Sequence, residues 1–96
     1  MADDRTRHRI IIYYCPLCRW LARATWTVQE LLSTFEEELF EVALRPGDKG
    51  QFDIYVDDEI ISCRETDGGF PELKVLKQRI RDLISPDKPL GHSDAQ

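Results

Sequence analysis

The stretch RIIIYYCPLCRW, from Arg9 to Trp20, most constrains what this chain can fold into. Its isoleucines and tyrosines are β-branched or aromatic, and so short a continuous apolar run reads as a buried strand over residues 9–14. Cys15 and Pro16 end it. Proline is accepted in the first turn of a helix, where its missing N–H would have had no intrahelical acceptor. Beyond it Leu17, Leu21, Ala24, Val28, Leu31, Leu32, Phe35 and Leu39 recur at spacings of three and four, one face of a helix. That period predicts a helix over residues 16–38, with Arg19, Arg23, Gln29, Glu30 and Glu36 turned largely the other way. Thr25 and Thr27 flank Trp26, lower the helix propensity there and mark a place for a kink. The Cys-x-x-Cys pair therefore falls where a strand passes into a helix.

The remaining elements follow from alternation and punctuation. Phe40, Val42 and Leu44 alternate with Glu41 and Ala43 as a second strand, and RPGDKG (residues 45–50) is a turn by composition. QFDIYV places Phe52, Ile54 and Val56 on one side and Asp53 and Tyr55 on the other. Asp57–Glu59 then turns into IISCR, which makes a hairpin. ETDGGFP (residues 65–71) is a loop, and Leu73, Leu76, Ile80, Leu83 and Ile84 outline a second amphipathic helix. The order is β-α-β-β-β-α. A strand–helix–strand opening within one sheet calls for a right-handed crossover and a parallel pair. The expected fold class is α/β: a thioredoxin-like two-layer sandwich with a four-stranded mixed sheet and two helices over one face.

At 96 residues the chain has room for one hydrophobic core, and 42% apolar with 32% charged residues is an ordinary globular balance. Residues 1–8 read as a flexible N-terminus, 9–85 as the domain, and 86–96 as a flexible, Pro- and Gly-punctuated tail. A formal net charge of −5 argues against a nucleic-acid partner held through phosphates and against a polybasic membrane surface. No apolar run approaches the roughly 18 residues of a spanning helix. MADDRTRHR does not resemble a signal peptide, so a cytoplasmic protein is the expectation.

That compartment bears on Cys15, Cys18 and Cys63. Secreted disulfide scaffolds carry cysteines in larger, even numbers, whereas a close pair plus a distant single points to redox chemistry or metal binding. At a helix N-terminus unpaired amide groups favour negative charge, and Arg19 and Arg23 in the next turns add to that field. A thiolate, the form that attacks disulfides, is stabilised there. A spacing of three also brings both sulfurs within bonding reach across one turn. Two other readings compete. A zinc site needs further ligands, and only Cys63, His8 and His92 remain, with both histidines near the chain ends. Alternatively the cysteines merely fill space. Dithiol chemistry is the reading adopted, with no metal.

Cys63 reads as a buried thiol in the last strand, with a resolving or regulatory role as its alternative. Trp20 and Trp26 read as packing residues at the rim of the first helix. Asp53, Asp57, Asp58 and Glu59 read as a solvated hairpin, since they lack calcium-loop spacing. Gly68, Gly69 and Phe70 precede a helix N-terminus, where two glycines permit close backbone approach. They form either a helix-entry turn or a substrate loop able to hold an anion such as a glutathione carboxylate.

The pattern as a whole resembles the thioredoxin-like selenoprotein W/T/H (Rdx-type) family. The likeness rests on YYCPLCRW after a strand, the long helix, RPGDKGQFDIYVDDEII and DGGFPELKVLKQRI, and runs from about Arg9 to Ile84. It implies a thiol-based oxidoreductase in cell redox homeostasis, acting on a protein or small-molecule thiol or disulfide. Cys15 corresponds to the first family cysteine and Cys18 to the position that holds selenocysteine in many members. Thioredoxin logic makes the first cysteine the accessible attacker, while the selenium position points to the second, and the sequence leaves the nucleophile open. No proline stands where thioredoxins place one before the next strand, since KGQF lacks it and Pro46 lies too far upstream. No bound cofactor is expected, with glutathione a candidate thiol co-substrate. The competing expectations are a glutaredoxin-like glutathione-dependent reductase and a non-catalytic, redox-sensitive interaction module. Oligomeric state is left open.

Overall fold

A computed structural model describes residues 7–91. In chain order the elements are β1 (His8–Tyr14), α1 (Leu21–Thr34), β2 (Leu39–Pro46), β3 (Phe52–Val56), β4 (Glu59–Cys63), α2 (Arg64–Asp67) and α3 (Leu73–Ile84). The sheet order is β2-β1-β3-β4, with β1 parallel to β2 and antiparallel to β3, and β4 antiparallel to β3. The expected mixed sheet is present. A third helix, the single turn α2, stands where the sequence reads as loop.

The strand pleat decides what is buried. Ile10, Ile12 and Tyr14 of β1 and Phe52, Ile54 and Val56 of β3 point to one side, where they join Ala24, Leu31 and Phe35 of the α1 region and Leu76 and Ile80 of α3 in one core. Fully burying each of the isoleucine, leucine, valine and phenylalanine side chains stabilises the fold by about 1.5–3 kcal/mol. The core residues of the two long helices, α1 and α3, all lie on that side. Ile11 and Tyr13, read from the sequence as part of a wholly buried strand, are only half-buried on the opposite face. The period-2 geometry of a strand sends alternate side chains to opposite faces, so a continuous apolar run can still have a covered and an open side.

The first helix is shorter than its apolar period. Pro16–Cys18 forms a separate 3-10 turn, and α1 begins only at Leu21. Arg19 separates them, with φ 61° and ψ 37° in the left-handed region. Leu17, expected on the core face, is accordingly 82% exposed, and Leu21, Leu32 and Leu83 are also exposed. The stretch around Trp26, weak in helix propensity, stays helical. Thr27 is buried within a continuous helix, and its hydroxyl donates to the Arg23 carbonyl at 2.8 Å, which satisfies the polar group.

His8, placed in the flexible N-terminus by its polarity, instead opens β1, and its ring meets the Asp57 carboxylate at 2.6 Å. The tail expected to be loose from residue 86 is tied back as far as it is described. Lys88 pairs with Glu38 at 3.3 Å, the Lys88 carbonyl accepts from Arg81, and Leu90 packs against the core. Residues 1–6 and 92–96, and with them His92, lie outside the described residues. Among the described residues no helix is long and apolar enough to cross a membrane.

Candidate functional site: a cysteine pair at the end of an inner strand

β1, an inner strand, delivers Cys15 directly from its last residue, Tyr14. Pro16, its φ preset by the ring, opens the 3-10 turn, and the Cys18 amide donates to the Cys15 carbonyl at 3.4 Å. This turn brings the two Cα atoms to 5.4 Å, and the sulfurs are joined as a disulfide. The first backbone bond of α1 runs from the Ala24 amide to the Trp20 carbonyl. Cys18 thus sits in its own short turn ahead of α1, not in the first turn of that helix, because left-handed Arg19 interrupts the helical path.

Access differs between the two sulfur residues. Cys15 is 0% exposed, contrary to the expectation that it would be accessible, while Cys18 is half-buried. Cys15 directly follows Tyr14, the last core residue of β1. The turn then lifts Leu17 and Cys18 toward solvent.

An aromatic cluster backs the turn. The Trp20 ring meets Phe70 edge-on with centroids 4.8 Å apart and Phe52 at 6.4 Å, and Phe52 meets Phe70 at 5.2 Å. Two guanidinium groups lie on it. Arg23 Cζ is 4.0 Å from the Phe70 centroid, while Arg64 Cζ is 4.7 Å from that of Trp20 and 5.3 Å from that of Phe70. Such cation–π contacts contribute about 0.5–1 kcal/mol each when exposed. Neither arginine pairs with a carboxylate among the described residues, and Arg64 Nε is buried without a hydrogen-bond acceptor. Sequence reasoning missed Arg64. Nothing local marks it, because its ring partners lie 44 positions before it and 6 after it, as their numbers give.

Of the three loop residues singled out, Phe70 therefore stands beside the cysteine turn by way of Trp20. Gly68 closes α2 with φ 80°, a left-handed position that suits glycine. Gly69 has no positive φ, a methyl group in place of its hydrogen would meet no described atom within 4 Å, and its amide donates to the Arg64 carbonyl. Trp26, expected to pack at the helix rim, is 49% exposed beside a shallow hollow lined by Arg23, Phe70 and Pro71.

Cys63 is not in the core. It pairs with Asp53, on the face away from the core, and borders a cleft of about 180 Å³ with Asp48, Lys49, Gln51 and Glu65 of α2. The alternation of β3 settles this placement: Phe52 and Ile54 turn inward, so Asp53 and its partner turn outward. His8 meets Asp57 rather than any cysteine, and among the described residues no three His, Cys, Asp or Glu side chains converge on a common point. Burial raises the Asp57 carboxyl, but the His8 ring and the Arg9 amide outweigh it and hold the group below its ordinary value. The Cys63 amide, assisted by Arg79 and Ser62, likewise holds Asp67 low.

A mixed four-stranded sheet with helices over one face and a Cys-x-x-Cys turn at the end of an inner strand defines a thioredoxin-like protein. Its solved relatives share that architecture. A selenoprotein W-related protein from Vibrio cholerae is 52% identical, with a TM-score of 0.80 over 82% of this chain and 99% of that one. A protein from Bordetella parapertussis is 57% identical, with a TM-score of 0.78 over 80% and 98% of the two chains. Residues 9–82 match the Rdx family, and the chain belongs to that family. It is also 33% identical over 75 residues to migration and invasion enhancer 1 of Bos taurus, and 34% over 74 residues to that of Mus musculus. The matched region covers 76% and 75% of this chain but only 62% and 61% of those proteins.

Proposed function

We propose that this protein is a small thiol–disulfide oxidoreductase in which Cys15 and Cys18 cycle between dithiol and disulfide, with Cys18 the attacking sulfur. The observation that carries the reading is the Cys15–Cys18 disulfide at the end of β1, with Cys15 wholly buried and Cys18 not. In the reduced protein the Cys18 thiolate attacks one sulfur of a substrate disulfide. The substrate S–S bond breaks, one substrate thiol leaves and takes up a proton, and a mixed disulfide remains on Cys18. Cys15 then loses its proton and attacks Cys18 Sγ, which releases the second substrate thiol and closes the internal disulfide. An external thiol, with glutathione as the candidate, returns the pair to the dithiol.

Arg23 and Arg64, stacked on Phe70 and Trp20, support a substrate that bears carboxylates, and Gly68, Gly69 and Phe70 form the loop on that side. A cytoplasmic setting, where a thiol pool keeps such a pair turning over, belongs to the same reading. The test uses Cys15→Ser and Cys18→Ser separately, each exposed to a disulfide substrate and probed for a trapped mixed disulfide. Cys15→Ser should trap it, since the resolving sulfur is gone, and Cys18→Ser should not. The opposite pattern would reverse the roles, and trapping by neither would end the proposal.

Leu17, at the centre of the motif and 82% exposed, favours a second reading: a non-catalytic module whose pair switches partner binding. Redox-dependent capture of a partner without turnover of any disulfide would separate this reading from the first.

A further inference from the structure

We propose that the free edge of β2 is a self-association surface, and that its occupant is the β2 edge of a second copy of this chain in antiparallel register centred on Ala43. β2 stands at the end of the sheet and, among the described residues, is paired on one side only, to β1. A strand edge of this kind offers unpaired backbone groups to another chain unless its side chains prevent it. The side chains here do the reverse in one register.

An antiparallel pair about a two-fold axis through Ala43 sets residue i against residue 86 minus i. Glu41 then faces Arg45 of the second copy, and Arg45 faces its Glu41. Ala43 meets Ala43 on the axis, where a methyl group allows close approach. Val42 and Leu44 meet each other twice on the helix-bearing side, where both are only partly buried in the single copy. Opposite charges directly across an antiparallel pair are favourable and like charges unfavourable. Sliding the strands by two residues sets each charge against an uncharged residue, and sliding them by four sets Glu41 on Glu41 or Arg45 on Arg45. Charges that only guard an edge would gain nothing from any register.

The neighbouring strand extends the match. Arg9 Nε lies 3.0 Å from Glu41, and Arg45 donates to the Tyr13 hydroxyl at 2.9 Å, so both charged groups are held on the open face of the sheet. In the pair they become two continuous rows, Arg9–Glu41 followed by Arg45–Tyr13 of the second copy, and the same row in reverse. Ile11 and Ala43 of both copies fill the space between. Phe40, skipped by the ladder where the register shifts at the start of β2, is 42% exposed at the end of the same edge. The symmetry is isologous and closed, so association through this edge stops at the dimer.

Sedimentation equilibrium at low ionic strength, with a thiol reductant present so that Cys63 cannot link copies, tests this. The wild-type protein is expected to dimerise. Glu41→Arg and Arg45→Glu each set like charges across the axis twice and should raise the dissociation constant roughly tenfold or more. An equimolar mixture of the two variants restores opposite charges at both contacts and should recover the dimer as a heteropair. Circular dichroism checks that both variants fold, and if one does not, Ala43→Lys, which places two ammonium groups on the axis, replaces it with loss of the dimer expected. A monomeric wild type, a dimer indifferent to the reversals, or a mixture that stays monomeric would each overturn the proposal.

Discussion

At the scale of single residues, two side chains control how the chain enters and leaves its functional elements. Arg19 holds a left-handed conformation that costs an L-residue about 1–2 kcal/mol. Arg19→Gly should therefore leave stability unchanged or raise it, whereas Arg19→Val should lower it by about 1–2 kcal/mol in urea titration, because a β-branched side chain clashes there. Asp57 also has positive φ, at 51°, in the turn between β3 and β4. Its carboxylate accepts from the His8 ring and the Arg9 amide. With the folded value held below the ordinary 3.8, this carboxylate contributes stability above that pH and loses it as pH falls through the lower folded value. Asparagine tolerates the same backbone, so Asp57→Asn isolates the charge. The deficit of Asp57→Asn at neutral pH should be no more than about 1 kcal/mol, given the group's exposure, and should close in acid. A gap that stayed constant with pH would rule out the carboxylate as its source.

At the scale of elements, the loop after α2 is coupled to the cysteine turn by ring packing rather than by backbone bonds. Phe70 touches Trp20 and Phe52 and carries the Arg23 guanidinium on its face. Phe70→Ala should cost about 2–4 kcal/mol by loss of buried area and ring contacts, and should change the fluorescence of Trp20. Phe70→Leu keeps most of the volume but no ring face, so it should weaken the hold on Arg23 at a smaller cost in stability. If the wild type and Phe70→Ala unfold at the same denaturant concentration, the loop is not part of the site's support. The short helix α2 went unseen because its four residues cannot display a helical period, and the Asp67 hydrogen bond to the Cys63 amide that helps to hold it is visible only in space.

At the scale of the whole molecule, one covered face of the sheet carries the stability and the open face is left for other uses. Phe35 is fully buried between α1 and the sheet, and Phe35→Ala should lose about 3–5 kcal/mol, a large part of what a domain of this size usually has. Leu17→Ala, at a position in the same apolar period, should stay within about 0.5 kcal/mol of the wild type because that side chain already faces water. Equal losses at the two positions in parallel thermal or urea unfolding would contradict the separation of turn and helix. The open face, with Ile11, Tyr13 and Tyr55 around a hollow of about 200 Å³, belongs to the side on which β2 offers its edge.

The sequence by itself determined the order of the four strands and the two long helices, the alternation of β3, the position of α3 and the placing of the cysteine pair where a strand passes toward a helix. These are local matters: a period of two or of about 3.6 and a proline after a strand leave their mark within a few neighbouring residues. Only the tertiary structure decided that Cys15 is buried and Cys18 is not, since burial where a strand ends depends on what the fold packs around that point and leaves no mark in the local pattern. It likewise decided that Cys63 faces outward, because strand register, not composition, assigns a residue to a face. The cluster of Trp20, Arg23, Phe52, Arg64 and Phe70 exists only because the fold gathers distant segments at the end of the sheet that carries the cysteine pair.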